Sequence, residues 1–235
     1  MLGVIWKTPG RAALFLSAVL SATSAAAATV SRSIEVDPQH RSDAVLITEV
    51  DVGPSSIQCG IVIGPREVQP VTPFPADDDW LKDTRIVLLN RTNKTIAFGQ
   101  VTLAFPETGT GATASPQKVF TIHLGRLPAN VVAVRQGGQP APQSAPLHSS
   151  LSFGPGERIT LRLADYTDQL RAAMDGIPLT ALTKCRIHLG SFIFDDGLRW
   201  DGTYSLPDPD HPGKFKAMDG RYFPGTPTWP PKAQQ

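Results

Sequence analysis

The chain has 235 residues and a formal net charge of +1, from 22 Lys and Arg against 21 Asp and Glu. Nucleic acid and anionic membrane surfaces attract proteins with a basic face, so this near-neutral balance argues against both as partners. The 22 prolines and 20 glycines exceed ordinary usage, which favours short strands joined by tight turns over long helices.

The first residues have the pattern of an export signal. Lys7 and Arg11 give a basic start, an apolar stretch follows over 12–20, and small residues over 21–27 suit a signal peptidase. The apolar stretch is too short to remain as a membrane span, and no later segment is long and apolar enough to form one. We therefore expect a signal peptide over 1–27 and a periplasmic or extracellular location for the rest.

Beyond this leader the sequence predicts one domain with flanking segments. Residues 28–42 are interpreted as a polar lead-in with at most a short strand over 33–36, the domain spans 43–223, and a Pro-rich tail covers 224–235. Runs of alternating apolar and polar residues recur through the domain and predict strands. In chain order these runs cover 44–52, 56–63, 84–89, 95–105, 118–124, 131–134, 147–153, 157–163, 183–194 and 199–204.

The alternation within these strands indicates sheets with one buried and one solvated face. In the run over 157–163, Ile159, Leu161 and Leu163 share one face while Arg and Thr residues share the other, as in an antiparallel sheet. The Pro-rich stretch over 65–76 lacks this alternation and is expected to be a surface loop.

Two of the long runs change phase at a glycine, the first at Gly99 and the second at Gly190. One extra residue at a β-bulge would return the apolar side chains of both halves to one core. The alternative is a strand that bends from one sheet into another.

One short helix is expected between the strands over 157–163 and 183–194. Asp165 or Thr167 would cap its N-terminus, and Gly176 would close its C-terminus. These elements together predict an all-β fold, namely an antiparallel β-sandwich of the immunoglobulin-like or Greek-key type with one short helix.

Two cysteines, Cys59 and Cys185, lie in runs whose alternation turns both thiols toward an apolar layer. An oxidising compartment permits a bridge, so we expect a disulfide between them. The alternative is a pair of buried free thiols that act as small hydrophobic residues.

The turn regions over 90–96 and 153–157 resemble those of exported bacterial immunoglobulin-like modules, and the segment over 194–200 is similar to one that recurs in uncharacterised exported bacterial proteins. The resemblance covers 80–205 and implies a β-sandwich but no activity. The cysteine spacing and the absence of a Trp at the usual offset depart from the immunoglobulin pattern.

Motifs that carry chemistry are absent from the sequence. It has no Gly-x-Ser-x-Gly elbow, no His-Glu-x-x-His, no phosphate-binding glycine loop and no Cys-x-x-Cys, so we assign no catalytic residue and no cofactor. Two sequons, at Asn90 and Asn93, are interpreted as residues of a hairpin turn.

The densest group of polar and aromatic residues lies in the segment over 192–213. Asp195, Asp196 and Gly197 have the composition of a tight turn, and they predict a hairpin that places Trp200 and Tyr204 in the core. A second hypothesis is a ligand surface, because aromatic faces beside charged groups suit a sugar or a peptide. This surface would comprise Asp195, Asp196, Arg199, Trp200 and Tyr204.

A third hypothesis for the same segment is a calcium site, since Ca²⁺ prefers hard oxygen ligands and several carboxylates occur within a short span. The spacing differs from the twelve-residue loop of helix–loop–helix calcium proteins. The candidate ligands are Asp195, Asp196, Asp201, Asp208 and Asp210.

The sequence therefore predicts an exported, non-enzymatic module that binds a ligand or has a structural role, with an envelope protein or a carbohydrate as its partner. The alternative is a hydrolase that acts on an envelope or extracellular polysaccharide, with Asp195, Asp196 or Asp208 as acid–base groups. Two carboxylates that face each other across a cleft would favour the hydrolase.

Overall fold

The predicted signal peptide over 1–27 and the predicted tail over 224–235 lie outside the residues that the computed structural model describes. Within the described part of the chain, no helix has the length and apolar character needed to cross a membrane. The described residues are 30–61, 72–109, 117–128, 131, 151–211 and 214–218.

Twelve strands and one α-helix make up the regular structure of these residues, together with short 3₁₀ helices at Pro106–Gly109, Leu163–Tyr166 and Leu179–Ala181. The α-helix, α1, spans Thr167–Ala173. The strands are β1 (Val30–Val36), β2 (Val45–Val52), β3 (Ser55–Gln58), β4 (Thr72–Ala76), β5 (Thr84–Asn90), β6 (Ile96–Phe105), β7 (Lys118–Gly125), β8 (Arg158–Arg162), β9 (Lys184–Phe194), β10 (Arg199–Trp200), β11 (Tyr204–Pro207) and β12 (Phe215–Ala217).

The strands form two sheets, which confirms the predicted all-β class. In the larger sheet, β6 runs antiparallel along one side of β9, while β1 is parallel to the first half of the other side and β10 is antiparallel to its end. The sheet continues through β7 next to β6, β4 next to β1, and β11 and β12 next to β10. The smaller sheet has the order β3-β2-β5-β8, and all its neighbours are antiparallel.

Apolar side chains of both sheets belong to one buried cluster. The smaller sheet contributes Ile86 and Leu88, the larger sheet contributes Leu103 and Ile187, and all four are fully buried. They alternate along their strands with residues of the opposite face, as the two-residue period of a strand requires. The helix α1 adds Leu170 to the same cluster.

The helix begins without the predicted side-chain cap. No side chain bonds to its free N–H groups, because the chain enters through a 3₁₀ turn and Thr167 instead donates its hydroxyl to the Ala164 carbonyl at 3.0 Å. Beyond its end, Gly176 has a φ of 86°, which suits the predicted closing glycine.

A bulge accounts for the phase change of β9 at Gly190, whereas the extra residue of β6 lies between Ile96 and Phe98, ahead of the position predicted at Gly99. Between its pairings with Val101 and Gly99, β9 passes from Leu189 to Phe192 and so gains one residue over β6. A Cβ at Gly99 would lie 2.5 Å from the Phe192 ring, which explains the need for glycine there. Both halves of β9 remain in one sheet, so the alternative of a strand crossing between sheets is wrong.

Four strands differ from the prediction, and one of them is β11, because the run predicted over 199–204 is divided into β10 and β11 by a turn over 201–203. β1 is longer than expected and lies inside the fold, although the surrounding 28–42 region is polar. β4 lies within the stretch expected to be a loop, because an edge strand tolerates the missing N–H groups of its two prolines. The strand β12 was not predicted, because three residues are too few to show an alternating pattern.

The predicted disulfide is not formed, because Cys59 and Cys185 are both free. Both are buried, with exposed fractions of 7% and 3%, so the predicted orientation is confirmed. The Cys59 amide donates to the Thr48 carbonyl of β2, whereas Cys185 lies opposite Ile34 of β1. Strand alternation predicts which face a thiol occupies but not its distance from another, and a bridge needs Cα atoms within about 7 Å.

The side chain of Arg32 in β1 is fully buried and joins three segments. Its guanidinium pairs with Asp78 at 2.8 Å and donates to the carbonyls of Thr180 and Leu182. It also lies 5.6 Å from the ring centroid of Trp80, whose Nε1 donates to the Leu182 carbonyl at 3.0 Å. These contacts attach β1 to the turn after β4 and to the segment before β9.

Asn90, the last residue of β5 in the smaller sheet, has a similar connecting role. It is 0% exposed, and its amide nitrogen donates to the carbonyls of Lys94, Phe153 and Gly154 at 2.8–3.0 Å. Its side-chain oxygen accepts hydrogen bonds from the backbone and hydroxyl of Thr92. Asn90 therefore connects the β5–β6 turn to the turn before β8, in agreement with its interpretation as a turn residue.

Replacing Asn90 with alanine removes all of these bonds and leaves buried carbonyl groups without donors. We expect Asn90→Ala to lower the free energy of unfolding by about 3 kcal/mol. The exposed Asn93 of the same turn provides the control, because Asn93→Ala should change stability by less than about 0.5 kcal/mol. Urea denaturation measures both, and equal effects of the two variants would contradict the assigned role of Asn90.

A second prediction concerns the reactivity of the two free thiols. Burial raises the pKa of Cys59 to about 11 and also raises the pKa of Cys185, so little reactive thiolate is present at neutral pH. We expect almost no reaction of the native chain with a thiol reagent, and two reactive thiols per chain after denaturation without reductant. Finding no reactive thiol in the denatured chain would indicate a disulfide.

Candidate functional site

The segment over 192–211 begins with the predicted hairpin between β9 and β10. The amide of Gly197, which has a φ of 86°, donates to the Phe194 carbonyl at 2.9 Å, and the Phe194 amide donates to the Leu198 carbonyl at 2.8 Å. Asp196 accepts a bond from the Leu198 amide at 3.1 Å and forms an ion pair with Lys94. Asp196 therefore supports the turn and connects it to the β5–β6 turn.

The two aromatic residues of the hairpin lie in the core. Trp200 is 5% exposed and packs against Phe192, with ring centroids 6.0 Å apart. Tyr204 is 9% exposed and stacks on Phe194 at 6.5 Å. Little of either ring is accessible to solvent. Trp200 and Tyr204 therefore belong to the core, as the hairpin hypothesis predicts, and offer little surface to a ligand.

The other candidate residues of the segment have local partners. Arg199 pairs with Asp201 and lies 4.8 Å from the ring centroid of Phe215. Asp208 accepts bonds from the His211 ring at 2.9 Å and from the Asp210 amide at 3.0 Å, and these bonds hold the pKa of Asp208 below its usual value.

The five candidate calcium ligands are therefore not brought together. Asp196, Asp201 and Asp208 each pair with a different basic side chain, namely those of Lys94, Arg199 and His211, and Asp195 and Asp210 are exposed. Among the residues that the structure describes, no group of three His, Cys, Asp or Glu side chains could hold a metal ion. The separate pairings explain why clustering in sequence does not become clustering in space.

A depression of about 200 Å³ lies where the end of β1 meets β9 and β10. The parallel pairing of β1 and β9 continues one residue beyond the C-terminal end of β1, since the Asp37 amide donates to the Ile187 carbonyl at 3.0 Å. This contact brings Asp37 next to His188, and their Oδ2 and Nδ1 atoms are 3.3 Å apart. No local pattern in the sequence predicts this pair, because its members come from distant parts of the chain.

The segment after β1 forms one wall of this depression. Gln39 is buried and holds the segment to β2, since its side chain both donates to and accepts from the backbone of Ile47. The His40 amide donates to the Asp43 carboxylate at 2.6 Å. Burial raises the pKa of Asp43, although this bond and the charge of nearby Arg91 act in the opposite direction.

The hairpin forms the opposite wall through Trp200, Asp201 and Gly202. Carboxylates accept hydrogen bonds, and imidazole rings both donate and accept them, so the walls offer both kinds of group around a small space. The arrangement suits a polar molecule with several hydroxyl groups. We call it the β1–β9 depression, and its polar and aromatic residues are Asp37, Gln39, His40, Asp43, His188, Trp200 and Asp201.

Only part of the β1–β9 depression has a signal in the sequence. Trp200 and Asp201 belong to the predicted hairpin, and His188 lies on the solvated face of its strand, as its position opposite the apolar residues indicates. No sequence pattern marks Asp37 and Asp43 as site residues. They lie in the polar segment after β1, and the position of this segment depends on the pairing of β1 with β9.

Comparison with family models, with curated proteins and with solved structures finds no match to this chain.

The raised pKa of Asp43 predicts a pH-dependent effect on stability. The folded state holds the Asp43 proton more tightly than the unfolded state does, so ionisation opposes folding, and this penalty grows as pH rises through the raised pKa. We expect Asp43→Asn, which keeps an acceptor oxygen, to raise the unfolding free energy at pH 7 and to lose this advantage toward pH 4.

Urea denaturation at pH 7 and pH 4 measures the free energy of unfolding. Asp79 is exposed, so Asp79→Asn is the control. A lower stability of Asp43→Asn at pH 7 would contradict the prediction.

Proposed function

We propose that the chain is an exported, non-enzymatic β-sandwich module of the immunoglobulin-like type that binds carbohydrate through the β1–β9 depression. Two sheets that contribute to one hydrophobic core support the sandwich architecture. The basic, apolar and small-residue pattern over 1–27 supports export to the periplasm or the cell exterior.

The observation that carries the binding proposal is the pair of Asp37 and His188 within the β1–β9 depression. The pair is partly accessible, with 43% and 47% of the two side chains exposed, so both groups can reach a ligand. Sugar hydroxyl groups both donate and accept hydrogen bonds, which matches a carboxylate next to an imidazole. The depression of about 200 Å³ is smaller than pockets for drug-sized ligands, so it fits a single ring of a longer chain.

The alternative of a polysaccharide hydrolase has less support. Its candidate carboxylates are Asp195, which is exposed on a hairpin turn, Asp196, which pairs with Lys94, and Asp208, which pairs with His211. None of these three lines the β1–β9 depression. Glycosidases place two carboxylates on either side of the bond that they cleave, and these local pairings favour binding over hydrolysis.

Binding without turnover is the expected behaviour. The purified chain is applied to an array of neutral oligosaccharides of two to six rings, and any ligand retained is used to measure Kd and the release of reducing ends. We expect retention without release, and about tenfold weaker binding after His188→Ala or Asp37→Asn, since each removes hydrogen bonds to the sugar.

A matched control comes from another His–Asp pair of the described residues, His211 and Asp208, which lies outside the depression. His211→Ala and Asp208→Asn should leave Kd unchanged. Release of reducing ends would favour the hydrolase, and retention of no oligosaccharide would contradict the carbohydrate ligand.

A further inference from the structure

A separate depression lies at one end of the smaller sheet. Ile86 of β5 and Leu161 of β8 are buried in the core, so Arg85 and Arg162, one residue along their strands, project from the opposite face. Both arginines are exposed, and they lie directly opposite each other in the strand register. On the other side of Arg85, Asp51 of β2 occupies the matching position.

The loops next to this row complete the depression. The amide of Gly53, after β2, donates to the carbonyl of Asp83 at 3.3 Å, and this contact brings the two loops together. Lys82 precedes Asp83 and is exposed beside Arg85. The resulting depression has a volume of about 470 Å³. We call it the arginine depression, and its charged lining comprises Asp51, Lys82, Asp83, Arg85 and Arg162.

The three cations of the arginine depression have no internal partner. Among the described residues, no ion pair or side-chain hydrogen bond joins Lys82, Arg85 or Arg162 to another group. Register partners of opposite charge form an ion pair elsewhere in the fold, since Glu35 and Arg186 of the parallel strands β1 and β9 pair at 2.9 Å.

Arg85 thus lies between Asp51 and Arg162 and binds neither. Like charges that face each other across two strands repel, so the Arg85–Arg162 arrangement is unfavourable by itself and a bound anion would relieve it. Two guanidinium groups present planar sets of donors that match the oxygen atoms of a carboxylate or a phosphate. Lys82 adds a third positive charge at the same place.

The geometry points to a binding site for an acidic sugar, that is, a sugar that bears a carboxylate or a phosphate. Arg85 and Arg162 would hold the oxyanion with help from Lys82. Asp51 and Asp83 would accept hydrogen bonds from the hydroxyl groups on the sugar ring, which inorganic phosphate does not have. The site is distinct from the β1–β9 depression, and the proposal does not depend on the proposed function.

Calorimetric titration of the purified full chain at low ionic strength tests this proposal. The probes are glucuronate, glucose 6-phosphate, glucose and inorganic phosphate. We expect at least one acidic sugar to bind, neutral glucose to fail, and inorganic phosphate to bind about tenfold more weakly than the best acidic sugar. The two acidic probes distinguish a carboxylate from a phosphate as the preferred oxyanion.

Arg85→Gln and Arg162→Gln should each weaken binding about tenfold and leave thermal stability unchanged or higher, because each removes a repelling charge. Arg158→Gln is the matched control, since Arg158 is exposed on the same strand face but lies outside the depression. Asp51→Asn should weaken binding of the acidic sugar and spare that of phosphate.

Three results would overturn the proposal. Equal affinity for inorganic phosphate and for both acidic sugars would mean an adventitious ion only. Unchanged affinity in both arginine variants would place any binding elsewhere, and failure of both acidic sugars to bind would exclude the site.

Discussion

The parallel pairing of β1 with the first half of β9 is the contact on which the rest of the larger sheet depends. One side of β9 is covered by β6 along most of its length, but the other side is divided between β1 and β10. Backbone bonds from Ser33 to Thr183 and from Asp37 to Ile187 extend this pairing at both ends. The pairing also carries β4 into the sheet and places Asp37 next to His188, so it determines both the edge of the fold and the β1–β9 depression.

Such a pairing joins distant parts of the chain, and closing large loops has an entropic cost. Arg32 offsets part of this cost, because its guanidinium bonds across 150 residues to the Leu182 carbonyl and across 46 residues to Asp78. A buried cation without partners is strongly unfavourable. A shift of β1 along β9 would separate Arg32 from these groups, so the arginine penalises other registers as well as stabilising the native one.

Local patterns in the sequence predict most strands, the bulge of β9 at Gly190 and the turn after Asn90, because alternation, positive φ and short-range hydrogen bonds depend on neighbouring residues. They do not predict the partner of β1, since any strand of suitable face could pair with it. The same limit explains the cysteines, whose burial follows from alternation while their separation does not. It also explains why the sequence reveals Trp200 and Asp201 but not Asp37, whose position depends on the β1–β9 register.

The burial of the hairpin aromatics sets the character of the β1–β9 depression. Two paired residues are too few to hold β10 in place, and burying a large aromatic side chain contributes up to about 5 kcal/mol, so Trp200 and Tyr204 attach the hairpin to the core. The same burial removes their faces from any ligand. The proposed sugar would therefore be recognised through hydrogen bonds with Asp37, His188 and Asp201 rather than by stacking, and selectivity would depend on the pattern of its hydroxyl groups.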